Sequence, residues 1–397
     1  MPAMAGIRHD LPDGTRVYAN SIPVTACFTI VKDTEYWVYV ENAARTRGIR
    51  VKCAVGKAIG ELVNITGTMR TDTANGERYI EADAGFPVTV LGHNHLGALG
   101  MRNEWIGGAA PSPCPVLKDG FGFYNTGMLV QTWGRVTYTT DGYFYINDGS
   151  NLIDGSGHSG LRVIGSSWVP CEGDFVKVIG ISSAVKIGAN YVRAIRVRND
   201  DIAVINDHIM HPIHLSSSCW NMVTLPGIPI YPGAESVFRS CHGLAGIVLD
   251  GYLKRYDAQY QAWIHFQSCG GPFNCLVAEG YGLYVPPSGT DCYDFLRAYV
   301  SSDQFISLPR GSDSASYFSF VGQPFDYDRP WSSIQVTNGS WITSLPQAVS
   351  LGWVHRVDGW NGVSWQPVTD LWTGSMAKGR GYCIYPKVGG LALIVPQ

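Results

Sequence analysis

The sequence predicts an all-β, multidomain chain, and three observations predict it. Only 15% of its 397 residues are charged while 12% are aromatic, against about 25% charged in typical soluble domains. There are 47 glycines and 22 prolines to supply turns. Runs of five to eight β-branched and aromatic residues recur between Gly, Asn and Asp punctuation. No Lys/Glu/Ala/Leu-rich window reads as helix, and the length exceeds what one core holds, so two to four domains are expected.

Residues 1–10 read as a tail. Across 11–91 the runs "TRVYANSIPVTACFTI", "EYWVYVEN", "GIRVKCAV", "ELVNITGTMRT" and "GERYIEA" make a five-strand meander or small barrel. Residues 129–200 repeat that plan. "LVQTWGRVTYTT", "GYFYINDGS", "GLRVIG", "GDFVKVIGISSA" and "NYVRAIRVRN" follow in the same order. The fourth strands share a pattern, G-[DE]-x-V-x-[IV]-x-G. Segment 92–128 is rich in Gly and Pro and reads as an ordered linker packed on the barrels, because Trp105, Phe121 and Phe123 need burial. Residues 201–212 form a second linker.

On "LPDGTRVYANSIPVTACF", "YWVYVENAARTRGIRV", "GELVNITGTM", "WGRVTYTTDGYFYINDGS" and "GLRV", both units resemble oligonucleotide/oligosaccharide-binding (OB) fold modules. More narrowly, they resemble those found in tandem in large secreted bacterial proteins. The resemblance implies two five-stranded barrels. It implies little about a ligand, because the module hosts many or none.

Residues 213–397 hold a second repeat, about 213–300 and 301–397. "WNMVTLPG" resembles "QFISLPRG", "YLKRYDAQYQAW" resembles "WVHRVDGWNGVSW", and "AEGYGLYV" resembles "AKGRGYCI". Each copy offers a strand ending in Leu-Pro, an aromatic hairpin and a Gly-x-Gly strand. The unit length suits a β-sandwich-like region in which the two copies can share one core.

Candidate chemistry is sparse. The stretch "DGYFYINDGSNLIDGSGHSGLRV", 141–163, supplies Asn147, Asp148, Asn151 and Asp154. It lacks the alternating ligands and terminal Glu of a helix–loop–helix calcium loop, and these residues also suit tight turns. Tyr36, Trp37, Tyr39, Tyr143, Phe144 and Tyr145 are candidates for stacking bases. Yet residues 11–91 carry nine basic and nine acidic side chains, and 129–200 carry seven and six. A phosphate groove needs a basic excess, so no nucleic-acid partner is expected. His93 and His95, and the set His208, His211 and His214, are weak metal candidates, since Pro212 breaks one-turn spacing. Asp326 and Asp328 share parity, as a glycosidase pair requires, although a turn neutralised by Arg329 is the plainer reading. No nucleophile elbow, phosphate loop or His-Glu-x-x-His occurs. No catalytic residue, cofactor or metal is therefore assigned.

Six tryptophans, Trp331, Trp341, Trp353, Trp360, Trp365 and Trp372, fall within 42 residues. They suit sugar stacking or a subunit interface. The ten cysteines lack zinc spacing, and Cys269 and Cys275 flank a loop that a disulfide could close. Asn64 and Asn338 fit the N-glycosylation pattern. No run approaches the ~20 apolar residues of a membrane span, and "MPAMAGIRHDLPDGT" has no apolar signal-peptide core.

These features lead to the expectation of a non-catalytic extracellular structural protein. It would be a self-assembling subunit of a bacterial surface fibre, pilus-like filament or surface layer, a homo-oligomer or helical polymer. Either terminus, the N-terminal tail above all, could donate a strand to a neighbour. The alternative is a secreted carbohydrate-binding or adhesion protein. A third reading, single-strand nucleic-acid binding, would require steep salt sensitivity.

Overall fold

Apolar side chains of β1 (Arg16–Val31), β2 (Glu35–Glu41), β3 (Gly48–Cys53), β4 (Glu61–Asp72) and β5 (Glu77–Ala82) enclose one core, while β6 (Thr89–His93) pairs along β4 with its side chains exposed. The computed structural model describes residues 7–32, 34–84, 89–206, 213–240, 249–267, 273–287, 292–309, 311–312 and 316–397. The chain is nearly all β, as composition implies. It divides into unit 1, comprising Met1–Asn147, Asn151–Val204 and Gly339–Ile342, and unit 2, comprising Asp148–Ser150, Ile205–Asn338 and Thr343–Gln397.

In unit 1 the first sheet runs β1-β2-β3-β5-β4-β6 and closes through β1–β4, with β3 and β5 parallel. After β7 (Leu99–Gly100) a second barrel follows: β8 (Leu129–Thr140), β9 (Tyr143–Asn147), β10 (Leu161–Ile164), β11 (Phe175–Ile187) and β12 (Asn190–Val204). It closes through β8–β11, again with the third and fifth strands, β10 and β12, parallel. The two barrels share one topology, compatible with OB-fold modules.

The shared fourth-strand pattern has a geometric origin. Gly60 and Gly173 take φ of +86° and +91°, the left-handed region that disfavours a side chain. Their N–H groups donate to equivalent carbonyls, Val24 at 2.8 Å and Val136 at 2.9 Å. The second glycine admits a carbonyl of the fifth strand. A Cβ on Gly67 would lie 2.4 Å from the Glu81 oxygen, and one on Gly180 2.3 Å from that of Arg196. Both first strands also carry a bulge at the same place, Val24/Ala26 and Val136/Tyr138.

Val38 and Val40 fill the first barrel, so Trp37 and Tyr39 point outward. There Tyr39 is fully buried and Trp37 half-buried. Tyr39, Ala26, Leu129 and Ile181 form a buried cluster between the barrels, flanked by Phe28, Trp37 and Ile179. A charged network lines this seam. Arg50 and Glu77 are 2% and 1% exposed, 3.4 Å apart, and Arg50 also pairs with Asp72 at 2.7 Å. Tyr39 donates to Glu77 at 2.8 Å, and the Ser183 hydroxyl of the second barrel donates to the other carboxylate oxygen. Glu41 accepts the Leu129 N–H at 2.7 Å.

The strands of unit 2 are β13 (Ile213–His214), β14 (Cys219–Thr224), β15 (Ile228–Pro229), β16 (Arg239–Ser240), β17 (Leu253–Asp257), β18 (Ala262–His265), β19 (Gly280–Val285), β20 (Cys292–Asp294), β21 (Arg297–Ala298), β22 (Gln304–Leu308), β23 (Ser319–Gly322), β24 (Arg329–Pro330), β25 (Gln335–Thr337), β26 (Ile342–Ser344), β27 (Val354–Trp360), β28 (Trp365–Pro367), β29 (Ser375–Met376), β30 (Gly381–Pro386) and β31 (Leu391–Val395). Its four-stranded sheets run β14-β19-β17-β18 and β23-β30-β27-β28. Their registers are equivalent: Thr224 pairs with Gly280 and Gly322 with Gly381, while Tyr256 opposes Trp263 and Trp360 opposes Trp365. Tyr281 accepts the Leu276 N–H, and Tyr382 accepts the Ala377 N–H at its own hydroxyl. The sheets meet reciprocally through bridges Val223↔Arg380 and Glu279↔Val321, an approximate two-fold relation. Met222, Tyr256, Phe320, Cys383 and Tyr385 form one core between them.

This register corrects two of the sequence matches. The counterpart of β14 is β23, not β22. The Leu-Pro strand β22 pairs instead with β31, Ile306 opposite Leu393. Gly280 corresponds to Gly381 rather than Gly379, because Gly280 pairs with Thr224 as Gly381 pairs with Gly322; both glycines lie against Phe320, where a Cβ would fall 2.4 and 2.5 Å from its ring.

Candidate functional site

The loop of 147–160 closes on itself. Asn147 Oδ1 accepts the Asn151 N–H at 3.1 Å, with Asn151 at φ +51°, and Asp148 Oδ1 accepts the Ser150 N–H at 3.0 Å. Tyr145 donates to Asp154 at 2.6 Å, and Arg162 Nε donates to the Tyr145 oxygen at 2.7 Å. Burial and then the Asp154 carboxylate push the Tyr145 phenol up to about 12. Burial alone would raise Asp154, but hydrogen bonds from Ser156 and Tyr145 hold it below the usual carboxylate range. His158 stacks on Tyr138 with centroids 3.5 Å apart, and Arg162 covers Tyr143 at 4.2 Å. Among the described residues no His/Cys/Asp/Glu group has metal-site geometry. The outward rings of the second barrel are thus layered under their own loop, as those of the first are under its neighbour.

The other candidates separate. Asp326 faces Arg297 at 3.0 Å and Lys378 at 3.6 Å, and Asp328 accepts the Lys378 N–H at 2.9 Å. Asp326 therefore has Arg297 and Lys378 as its cationic partners, Asp328 is held by a backbone amide, and Arg329 lies over Tyr327. His93 and His95 are exposed, and His208 and His211 lie outside the described residues. Cys275 is a free, fully buried thiol in the core of unit 2, with its pKa raised by burial. It therefore forms no bridge to Cys269, which lies outside the described residues. A buried cysteine behaves there as a small hydrophobe. Asn64 accepts the Ser21 N–H at 3.0 Å, and Asn338 is exposed.

The six tryptophans do not form a common surface. Trp331 is 1% exposed and packs edge-on against Tyr382, which makes it a core ring and corrects its placement among sugar-facing candidates. Trp353 is half-buried. Trp341 and Trp372 are 72% and 60% exposed. Trp365 packs against Phe320 in the shared core. Trp360 borders a cleft.

That cleft, of about 280 Å³, opens in unit 2 where β14 meets β27 and β30. Trp220 and Trp360 border it, and Trp360 Nε1 donates to the Trp220 carbonyl at 2.9 Å. Lys254 stands 4.2 Å from the Trp220 ring. Asn221 Oδ1 accepts the Ser216 N–H at 2.8 Å and its Nδ2 donates to the Ser216 carbonyl at 2.8 Å, which orders the turn at one rim. Asn361 Oδ1 accepts the Val363 and Ser364 N–H groups at 2.9 and 2.8 Å and orders the other. His214 and Arg380 complete the polar lining. Volumes of about 300–1,000 Å³ are usual for small-molecule sites, so this one suits roughly a single ring.

In the two-fold-related copy the corresponding place is filled. The positions of Trp220 and Trp360 correspond to Phe318 and Tyr256. Those rings stack at 3.9 Å with planes 10° apart. Gln261 clamps them, accepting the Phe318 N–H at 3.1 Å and donating to its carbonyl at 3.2 Å. Trp220, Asn361 and Arg380 were not singled out by the sequence, because 160 residues separate the first from the last.

No family model matches the chain, and no curated protein matches it. A solved structure titled drosophila Unr CSD456 aligns over 73% of this chain and 98% of its own at 10% identity, with a TM-score of 0.19, a value that carries no inference. No described helix is long and apolar enough to cross a membrane.

Proposed function

We propose that the chain is a non-catalytic extracellular adhesion protein that holds a sugar ring in the Trp220–Trp360 cleft. The carrying observation is the broken symmetry of unit 2: one copy fills the site with Phe318 on Tyr256, and the other leaves it open between two indoles and ordered polar turns. Indole faces take the apolar face of a sugar, and polar rims take its hydroxyls. The resemblance of the barrels to modules of secreted bacterial proteins supports the extracellular placement.

A glycan array with purified protein tests the reading. Trp220→Ala is expected to weaken binding about tenfold. Because Trp220 is half-buried, its melting temperature is recorded in parallel. Asn361→Trp, at an exposed position, should block the cleft without touching the core. Unchanged binding by a folded Asn361→Trp protein excludes this site.

A second reading, self-assembly into a fibre or layer, is favoured by the exposed rings Trp341 and Trp372. It predicts polymers by negative-stain microscopy that are lost in Trp372→Ser. Monomers at high concentration would rule it out.

A further inference from the structure

We propose that the cleft selects acidic sugars, with Arg380 receiving the carboxylate of a uronic acid unit while the indoles receive its ring. This rests on the cleft reading above and adds the ligand's charge. His214 and Arg380 are the ionisable side chains with a cationic form in the lining, and the lining contains no Asp or Glu. Arg380 is exposed, and among the described residues no carboxylate lies within ion-pair distance of it. Its backbone is pinned by the bridge to Val223 at the floor of the cleft, so the guanidinium is tethered to the site rather than to a free loop. In the closed copy the equivalent residue is Glu279, which turns inward and accepts the Tyr281 hydroxyl at 2.5 Å. The open copy therefore carries the opposite charge, and that charge is left available. A planar guanidinium is suited to a carboxylate through two parallel N–H···O bonds.

The cleft supplies its own reporter. Cys219 lines it as a half-buried free thiol whose Sγ lies 3.4 Å from the Ser216 carbonyl. Cys171 is an exposed free thiol in unit 1 and serves as an internal reference. With the full chain, a hexamer of galacturonic acid should slow alkylation of Cys219 by iodoacetamide, read by mass spectrometry, and leave Cys171 unchanged. It should bind at least tenfold more tightly than a hexamer of glucose. Arg380→Glu, the residue of the closed copy, should remove that preference with an unchanged melting temperature. Equal affinity for the two hexamers, or full retention of the preference in Arg380→Glu, overturns acid selectivity and leaves the cleft reading intact. Failure of every glycan on the array to bind, or binding without protection of Cys219, overturns the cleft reading itself.

Discussion

Gly48→Ala is expected to destabilise unit 1 by about 3 kcal/mol or more, through overpacking that no side chain can relieve. Gly48 opens β3 where the first barrel meets the segment leading into the second. A Cβ there would lie 2.1 Å from the Gly127 oxygen and 2.7 Å from the Met128 nitrogen. Both obstacles are backbone, so the barrels themselves must separate. Gly127 reciprocates: it sits at φ +93°, and a Cβ on it would meet the Gly48 oxygen at 2.6 Å. Separation would loosen the Tyr39–Leu129–Ile181 cluster and expose the Arg50–Glu77 pair, whose desolvation is tolerable only while the partners stay bonded. Gly97→Ala is the control, because nothing lies within 4 Å of its added Cβ and its φ is not positive. It should change stability by no more than about 0.5 kcal/mol. Hydrogen exchange of peptides spanning 48–53, followed through a urea series, reads unit 1 separately from unit 2. A Gly48→Ala midpoint equal to that of Gly97→Ala would show that the backbones do not approach as described.

The strand plan of both barrels can be reasoned from the sequence. The spacing of Gly60 to Gly67 and Gly173 to Gly180 marks one left-handed turn and one close approach, and that pair is what makes the two units recognisable as copies. Parity also separates Tyr36 and Val38 from Trp37 and Tyr39. What parity cannot say is what covers the outward rings. Trp37 could as well stack a base as meet Arg196 of the second barrel, which stands 5.3 Å from it. The answer depends on a contact between residues 159 positions apart. The register of the C-terminal repeat is obscured for a local reason. A bulge between Val354 and Val357 and hairpins of unequal length shift the aromatic positions, so matching letters pair Arg255 with Arg356 whereas the sheets pair Tyr256 with Trp360. The cleft is least legible. It arises because Phe318 stacks on Tyr256 while Trp220 and Trp360 do not stack, a difference of ring placement that composition and spacing do not encode.

Two buried groups at the seam give unit 1 a pH dependence that the intact protein conceals. Glu41 is fully buried, and desolvation raises its pKa from 4.5 to about 7 against the opposing Leu129 N–H and the charge of Arg45. Its Oε1 has no hydrogen-bond partner. A carboxyl raised in the folded state contributes stability that is complete below pH 4.5 and is lost as pH rises through 7, because the folded protein holds the extra proton. His9 is the mirror case. Desolvation lowers it from 6.5 to about 4, against its bond to the Gly48 carbonyl and with Arg47 and Arg78 adding to the lowering and Asp10 opposing it. Its Nε2 donates to that carbonyl at 2.7 Å, so the neutral ring carries its one proton on Nε2. Its contribution is complete above pH 6.5 and is lost as pH falls through 4, because there the unfolded chain takes up the proton. Each slope is about 1.4 kcal/mol per pH unit, and the signs are opposite. Between pH 4.5 and 6.5 they cancel, so the wild-type protein should be nearly flat there. Glu41→Gln should rise by roughly 2–3 kcal/mol across that window, and His9→Gln should fall by as much. Gln is suited to both sites, since its carbonyl can accept from Leu129 at position 41 and its amide can donate to Gly48 at position 9. The same urea series on residues 48–53, at half-unit pH steps, measures all three proteins. If Glu41→Gln and His9→Gln both run parallel to the wild type, the two groups ionise in the folded protein as they do in the unfolded chain, and the seam is wetter than its geometry indicates.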